Sequence, residues 1–148
     1  MEKNMYKMIQ LLMIPLMIFL TPAISGSEQD TGKDEISEAI GYYFRAHATG
    51  NGEYLRYAFH PVAKLFFVRD NALAQFTLEE YIALFDGNPP VDEDQRIRTI
   101  DQIDISGNAA VATITLDYPN AVYTDYMSML NIDGQWKIVN KTFYLEPR

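Results

Sequence analysis

The chain has 148 residues, no cysteine and a formal net charge of -8, from 12 Lys and Arg against 20 Asp and Glu. This length fits one domain, and the lack of cysteine excludes disulfides, thiolate metal sites and thiol catalysis. The acidic balance disfavours nucleic acid and anionic membranes as partners, because both are bound by clustered cationic side chains.

The first residues have the features of an export signal. Lys3 and Lys7 precede the apolar stretch Leu11–Leu20, and Ala23-Ile24-Ser25 has the small-x-small pattern that signal peptidase recognises. The stretch is shorter than the ~20 residues of a transmembrane helix, although an uncleaved anchor is the alternative. We predict an exported, periplasmic or secreted protein with a signal peptide at 1–25, a flexible tether at 26–33 and a folded domain at 34–148.

Helical periodicity opens the domain, because apolar residues from Ile36 to His47 recur at spacings of three and four. Gly50-Asn51-Gly52 ends this helix, and a short second helix is predicted over 53–59, before Pro61.

A hairpin and a third helix come next. Alternation over 62–68, the turn Asp70-Asn71 and a return through 73–76 predict two strands. Thr77 and Glu80 have the spacing of a capping box, which predicts a helix that carries Tyr81.

The remainder of the chain is predicted to be an antiparallel meander with turns at 106–108, 119–120 and 133–134. Its strands are predicted at 96–105, 109–118, 121–132 and 135–145, with a β-bulge near Asp101-Gln102. Helices on one face of such a sheet make an α+β fold, and a sheet that curls around them makes a cone with an interior.

The register of the last hairpin follows from its two-residue loop, Asp133-Gly134, which pairs Ile132 with Gln135. Counting back along both strands divides their side chains between two faces of the sheet. The inner face is predicted to be apolar at one end and polar at the other, with Trp136, Ile138, Met127, Met129, Asp125, Asn140, Thr142, Tyr123 and Tyr144. The outer face is predicted to hold Thr124, Tyr126, Ser128, Leu130, Lys137, Val139, Lys141 and Phe143, and its apolar members suggest a partner subunit.

The segments 123–130 and 133–143 resemble the C-terminal signature of the putative lumazine-binding family, within the nuclear transport factor 2-like superfamily. Gly50-Asn51-Gly52 and Phe59-His60-Pro61-Val62-Ala63 are similar to the exit of the family's first helix and the strand after it. The resemblance implies a cone-shaped α+β barrel with a curved antiparallel sheet wrapped around three N-terminal helices. It also implies a homodimer through the outer sheet face and a pocket between sheet and helices, but it implies no particular chemistry.

Asp125 and His60 are the candidate catalytic residues. A carboxylate on the inner face can act as a general base when its surroundings raise its pKa, and a histidine near the pocket mouth can transfer protons. The structural alternatives are the commoner ones: Asp125 bonded to Thr142 or Asn140, and His60 bonded to a helix-terminal carbonyl.

The interior and the helices supply candidate ligand-binding residues: Tyr43, His47, Tyr81, Tyr123, Met127, Trp136 and Asn140. Each has the alternative of simple core packing. Arg96 and Arg98 can hold an anionic group or, more simply, pair with the acidic residues 92–94. The histidines and Asp125 have no metal-ligand spacing, so no metal and no cofactor are predicted.

Three functions remain open. The first, which we adopt, is a protein that binds a small hydrophobic or heteroaromatic ligand in the cone. The second is an isomerase- or dehydratase-type enzyme with Asp125 or His60 as base, and the third is a dimeric interaction module whose interior is filled by its own side chains.

Overall fold

The computed structural model describes residues 26–148, so the predicted signal peptide lies outside it. Within this range, none of the helices has the length and apolarity to cross a bilayer. The helices are α1 (Gly26–Thr49), α2 (Leu55–Ala58) and α3 (Leu78–Ile82), with short 3-10 turns at Gly52–Tyr54 and Glu93–Gln95. The strands are β1 (Phe59–Arg69), β2 (Ala72–Thr77), β3 (Ile97–Ser106), β4 (Ala109–Tyr118), β5 (Ala121–Ile132) and β6 (Gln135–Pro147).

The first helix is longer than the apolar periodicity predicts. α1 begins at Gly26, so the segment 26–33, which we predicted to be a flexible tether, is its first part. The segment lacks an apolar face and only Glu28, Gln29 and Lys33 favour a helix, so this part of α1 depends on propagation from the amphipathic turns that follow it.

The six strands form one sheet in the order β2-β1-β6-β5-β4-β3. The meander β3 to β6 is antiparallel as predicted, whereas β1 joins β6 in a parallel pair. The register of β3 shifts between Ile100 and Gln102, which confirms the predicted bulge. Further shifts in the β1–β6 and β5–β6 pairs bend the sheet around the helices and close one side of an interior. The α+β class and the curved sheet are therefore confirmed.

The local signals at the hairpin and at α3 are also confirmed. Asp70 and Asn71 both have positive φ, at 52° and 61°, as the tight turn requires. Thr77 Oγ1 accepts a hydrogen bond from the Glu80 backbone N–H, and the Glu80 carboxylate accepts one from the Thr77 N–H. This box sets the start of α3, which places Tyr81 over the interior.

Candidate functional site

A carboxylate and an amine are buried together in the interior, Asp125 on β5 and Lys141 on β6. Asp125 is fully buried and Lys141 is only 3% exposed. Lys141 Nζ donates to Asp125 Oδ1 at 3.1 Å and to the Tyr43 hydroxyl at 3.0 Å. The Tyr43 hydroxyl in turn donates to Asp125 Oδ2 at 2.6 Å. The three groups close a hydrogen-bonded triangle, which we call the Asp125 centre.

The position of Lys141 corrects our register for the second half of β6. Trp136 and Ile138 face Asn131 and Met129 as predicted, but the register shifts between Ser128 and Met129. The extra residue on β6 exchanges the faces beyond it, since side chains alternate along a strand.

Five face assignments beyond this bulge are wrong, and so is the predicted hydrogen bond of Asp125. Asn140 lies opposite Ser128, on the outer face, and is therefore not an inner ligand-binding residue. Thr142 and Tyr144 are exposed, whereas Lys141 and Phe143, which we had placed outside, turn inward. The predicted bond from Asp125 to Thr142 or Asn140 is replaced by the bonds to Tyr43 and Lys141.

Aromatic rings surround the Lys141 ammonium. Nζ lies 4.6 Å from the ring centroid of Phe143, 5.0 Å from that of Tyr43 and 5.3 Å from that of Tyr81. Ring faces attract a cation, and the attraction is larger where water is excluded. The charge of Lys141 is thus stabilised by one carboxylate and by ring faces.

Burial shifts the proton affinities of this centre. Desolvation, followed by the charge of Asp125, raises the pKa of Tyr43 well above its ordinary value, so this phenol remains a hydrogen-bond donor. Desolvation lowers the pKa of Lys141, although the adjacent Asp125 opposes the change. The Lys141 amine is therefore more easily deprotonated than an exposed lysine.

His47 stands next to the Asp125 centre, at the end of α1. Its Nε2 lies 2.9 Å from the Tyr81 hydroxyl, and its ring meets those of Tyr43 and Phe85 edge to face. Desolvation, together with the charge of Lys141, lowers the pKa of His47 well below 6.5. The imidazole is consequently neutral in the folded protein.

This neutral histidine predicts acid sensitivity. Below about pH 6.5 the unfolded chain protonates His47 while the folded protein does not, so the free energy of unfolding decreases by up to ~1.4 kcal/mol per pH unit. His47→Gln should remove this contribution to the pH dependence of the free energy of unfolding, which urea denaturation measures between about pH 6.5 and pH 5. His60→Gln is the matched control and should retain it. An unchanged slope in His47→Gln would contradict the assignment.

Two arginines lie beside the centre, at the start of β3. Arg96 pairs with Asp92 at 2.8 Å and Arg98 with Glu93 at 2.6 Å, so the simpler of our two readings of these arginines is confirmed. Arg96 and Arg98 also pack against Tyr118, with guanidinium carbons 4.3 and 5.4 Å from its ring centroid.

Two polar atoms in this region have no hydrogen-bond partner within the described part of the chain, Arg98 Nε and the Tyr118 hydroxyl. Desolvation raises the pKa of Tyr118, which is only 5% exposed, and the Arg98 guanidinium close to its hydroxyl opposes that change. Its ring adjoins those of His47 and Tyr123, at 6.4 and 5.8 Å between centroids. An unpaired buried hydroxyl is costly, so this phenol is suited to bond a ligand.

The structure divides our predicted pocket into two regions. Tyr43, His47, Tyr81 and Asp125 come together, and Tyr123 adjoins them through Tyr118. Trp136 lies about 20 Å away along the strands, since it pairs with Asn131, six residues beyond Asp125. The buried side chains of Met127, Met129 and Ile138 occupy the inner face between them.

Trp136 instead lines two open grooves. One, of about 360 Å³, is bordered by Glu35 and Ile105, and the other, of about 410 Å³, by Tyr42 and Lys137. His60 lies at the junction of α2 and β1, where its Nδ1 accepts a bond from the Val62 N–H at 3.4 Å. That bond lies within its own turn and does not connect His60 to Asp125.

Three features of the site were not predicted from the sequence. They are the inward position of Lys141, the burial of the Arg98 side chain and the buried hydroxyl of Tyr118. The strict alternation of β4 makes Tyr118 an inner residue in phase with Leu116 and Ile114, a signal that was available. No comparable signal existed for Lys141, because a single bulge reverses its face.

The comparisons with known proteins agree with this architecture. The sequence pattern of the putative lumazine-binding family matches residues 31–144. The aldolase FrzH of Cladobotryum sp is 27% identical over 109 residues, which cover 72% of this chain and 85% of FrzH.

Solved structures give the same result. An NTF2-like protein from Methylobacillus flagellatus has 30% identity and a TM-score of 0.69, with 78% of this chain and 93% of that chain covered. One from Shewanella baltica has 26% identity and a TM-score of 0.73, with 80% and 97% covered. The hub domain of S. rosetta CaMKII, at 16% identity and a TM-score of 0.57 with 76% and 95% covered, shares the fold alone. The chain therefore belongs to the putative lumazine-binding family and has the NTF2-like fold.

Proposed function

We propose that the protein binds a small heteroaromatic molecule in the interior of the cone, at the Asp125 centre. The observation that carries this proposal is the buried polar cluster itself: a carboxylate, an amine and a phenol hydrogen-bonded together and surrounded by aromatic rings. Ligand sites typically combine apolar walls with a few convergent polar groups.

The family description supports a pteridine-like ligand. Lumazine is a flat bicyclic ring with carbonyl oxygens and ring N–H groups. Tyr81, Tyr118 and Phe143 supply ring faces for stacking, Asp125 supplies an acceptor, and Lys141 and Tyr118 supply donors.

The Tyr118 hydroxyl provides the sharpest test, because within the described residues it interacts with the Arg98 guanidinium but has no well-oriented hydrogen bond. Tyr118→Phe should change the free energy of unfolding by less than ~1 kcal/mol, because relief of the buried hydroxyl is offset by loss of its interaction with Arg98. The same variant should weaken lumazine binding about tenfold, the effect of losing ~1.4 kcal/mol of a hydrogen bond. Isothermal titration calorimetry of the folded variants measures the affinity.

Two control variants locate the ligand. Tyr57→Phe removes the hydroxyl of an exposed tyrosine, and Trp136→Phe alters the grooves at the far end of the sheet. Both should bind lumazine as the unmodified protein does. Tyr57 borders the 410 Å³ groove together with Trp136, so loss of affinity in Trp136→Phe or Tyr57→Phe, with Tyr118→Phe unaffected, would place the ligand in the grooves instead. No binding to any variant would favour the filled interaction module.

A second candidate function is catalysis at a carbon next to a carbonyl group. The similarity to a protein named as an aldolase supports it, together with a carboxylate positioned beside a buried amine. In deuterated water, NMR should show faster loss of the α-protons of a small ketone with the unmodified protein than with Asp125→Asn. Equal rates would argue against this candidate.

The outer face of the sheet is the proposed surface for a homodimer. Val111, Tyr126, Leu130 and Tyr144 are 38–64% exposed on adjacent strands. An exposed apolar patch of this kind is typical of an interface. Tyr126→Lys should shift the mass in sedimentation equilibrium from dimer to monomer, whereas Leu84→Lys, at an exposed position on the chain after α3, should not. A monomeric unmodified protein would refute this proposal.

Export is a separate proposal that rests on the first 25 residues of the sequence. Expression of the full chain in a bacterium should yield a periplasmic or secreted form whose N-terminus is Gly26. An intact N-terminus in the cytoplasmic fraction would contradict it.

A further inference from the structure

The Lys141 amine makes a second hydrogen bond in addition to its ion pair with Asp125. Its Nζ has two hydrogen-bond acceptors among the described residues, the Asp125 carboxylate and the Tyr43 hydroxyl. The rings of Phe143, Tyr43 and Tyr81 lie around the amine, and the neutral His47 has its Nε2 at 2.9 Å from the Tyr81 hydroxyl. The two acceptors account for two of the three N–H groups of the ammonium.

We propose that Lys141 forms a Schiff base with an aldehyde or ketone group of the bound molecule, with Asp125 as its proton acceptor. This inference rests on the proposed function, since it requires that the interior admits a small molecule. It specifies that the ligand is a carbonyl compound and that binding includes a covalent step.

The atoms of the step balance within the centre. Asp125 takes a proton from the ammonium, and the freed lone pair of Nζ attacks the carbonyl carbon. The C–N bond forms as the carbonyl π bond breaks, and the carbonyl oxygen takes the proton from Asp125 to give a carbinolamine. A second proton passes from the nitrogen through Asp125 to that oxygen, which leaves as water when the C–O bond breaks and the C=N bond forms. The product is a protonated imine whose positive charge remains next to Asp125. The electrostatic pairing of the resting centre is thereby preserved.

Two features favour this reaction over a purely structural role. Burial lowers the pKa of Lys141, which raises the fraction of reactive free amine near neutral pH. The Tyr43 phenol donates to the carboxylate and contacts the amine, so it can hold both in position while protons move.

Phe143 covers the amine on one side. Its ring lies against Nζ, stacks on Phe67 and is itself partly exposed. Phe143→Ala should open that side and accelerate the reaction of Lys141 with a small aldehyde.

Reductive trapping tests the proposal without any variant. The full-length protein is treated with a small amount of acetaldehyde and cyanoborohydride at pH 7, and peptide mass spectrometry follows N-ethylation of each lysine. Lys64, exposed on the neighbouring strand β1, is the internal reference. Lys141 should be modified faster than Lys64, because burial lowers the pKa of the Lys141 amine and its free form is the nucleophile. Phe143→Ala should increase the rate at Lys141 and leave Lys64 unchanged.

The result also separates this inference from the proposed function. Modification of Lys141 at or below the rate of Lys64, in a protein that binds lumazine, would overturn the Schiff base and leave the binding function standing. Rapid modification that lumazine blocks would support both. Failure of lumazine to bind together with an unreactive Lys141 would overturn both.

Discussion

Asp125→Leu is expected to lower the free energy of unfolding at pH 7 by about 3–5 kcal/mol, because it leaves the buried Lys141 ammonium without its counter-charge. The folded protein would hold the lysine with its charge uncompensated or release the proton at a similar cost. Urea denaturation followed by circular dichroism measures the change. The deficit should decrease as the pH rises towards 10, where the unfolded chain also begins to lose the lysine proton.

The double variant Asp125→Leu/Lys141→Met is the matched control. Removal of both charges together replaces an ion pair by apolar side chains, and such replacements are often neutral within ~1 kcal/mol or stabilising. The double variant should therefore be markedly more stable than Asp125→Leu alone. Equal stabilities of the two would mean that Asp125 and Lys141 are not coupled.

Gly50→Ala is expected to be the other strongly destabilising change. Gly50 follows α1 with φ +67°, and a β-carbon there would lie 1.8 Å from the Asn88 carbonyl oxygen. The left-handed backbone costs an alanine ~1–2 kcal/mol, and the collision with main chain adds about 1–3 kcal/mol. Gly87 N donates to Gly50 O at 2.8 Å, so a displacement also disturbs the chain that follows α3.

Gly107→Ala separates the two causes. Gly107 has a similar φ of +61°, but a β-carbon there would meet nothing within 4 Å. It should cost only the ~1–2 kcal/mol of the backbone conformation. If Gly50→Ala and Gly107→Ala have the same free energies of unfolding, the contact with Asn88 is not rigid and this explanation is incorrect.

Much of the fold was predictable from local chemistry. The Asp70-Asn71 turn, the capping box at Thr77 and the bulge after Ile100 are each fixed by a few adjacent residues, and each is present. The start of α1 was missed because a helix can extend without an apolar face. The parallel pairing of β1 with β6 was also missed, since it joins segments distant in sequence and has no local signal.

The residues of the site were also only partly predictable, because local periodicity places some of them and a β-bulge reverses the others. Tyr43, His47, Tyr81 and Asp125 follow from helix periodicity and from strand alternation, and the structure brings them together. Lys141 and Asn140 exchanged roles because the bulge at Ser128/Met129 shifts the register by one residue. Nothing in the adjacent residues distinguishes a lysine that faces solvent from one that pairs with a buried carboxylate, and only the three-dimensional pairing does so.

A crystal structure of the protein grown with lumazine tests the central claim most directly. We expect the bicyclic ring among Tyr81, Tyr118 and Phe143, with polar atoms within hydrogen-bond distance of Lys141 Nζ and the Tyr118 hydroxyl. A ring seated against Trp136, or crystals without the ligand at saturating concentration, would contradict a binding site at the Asp125 centre.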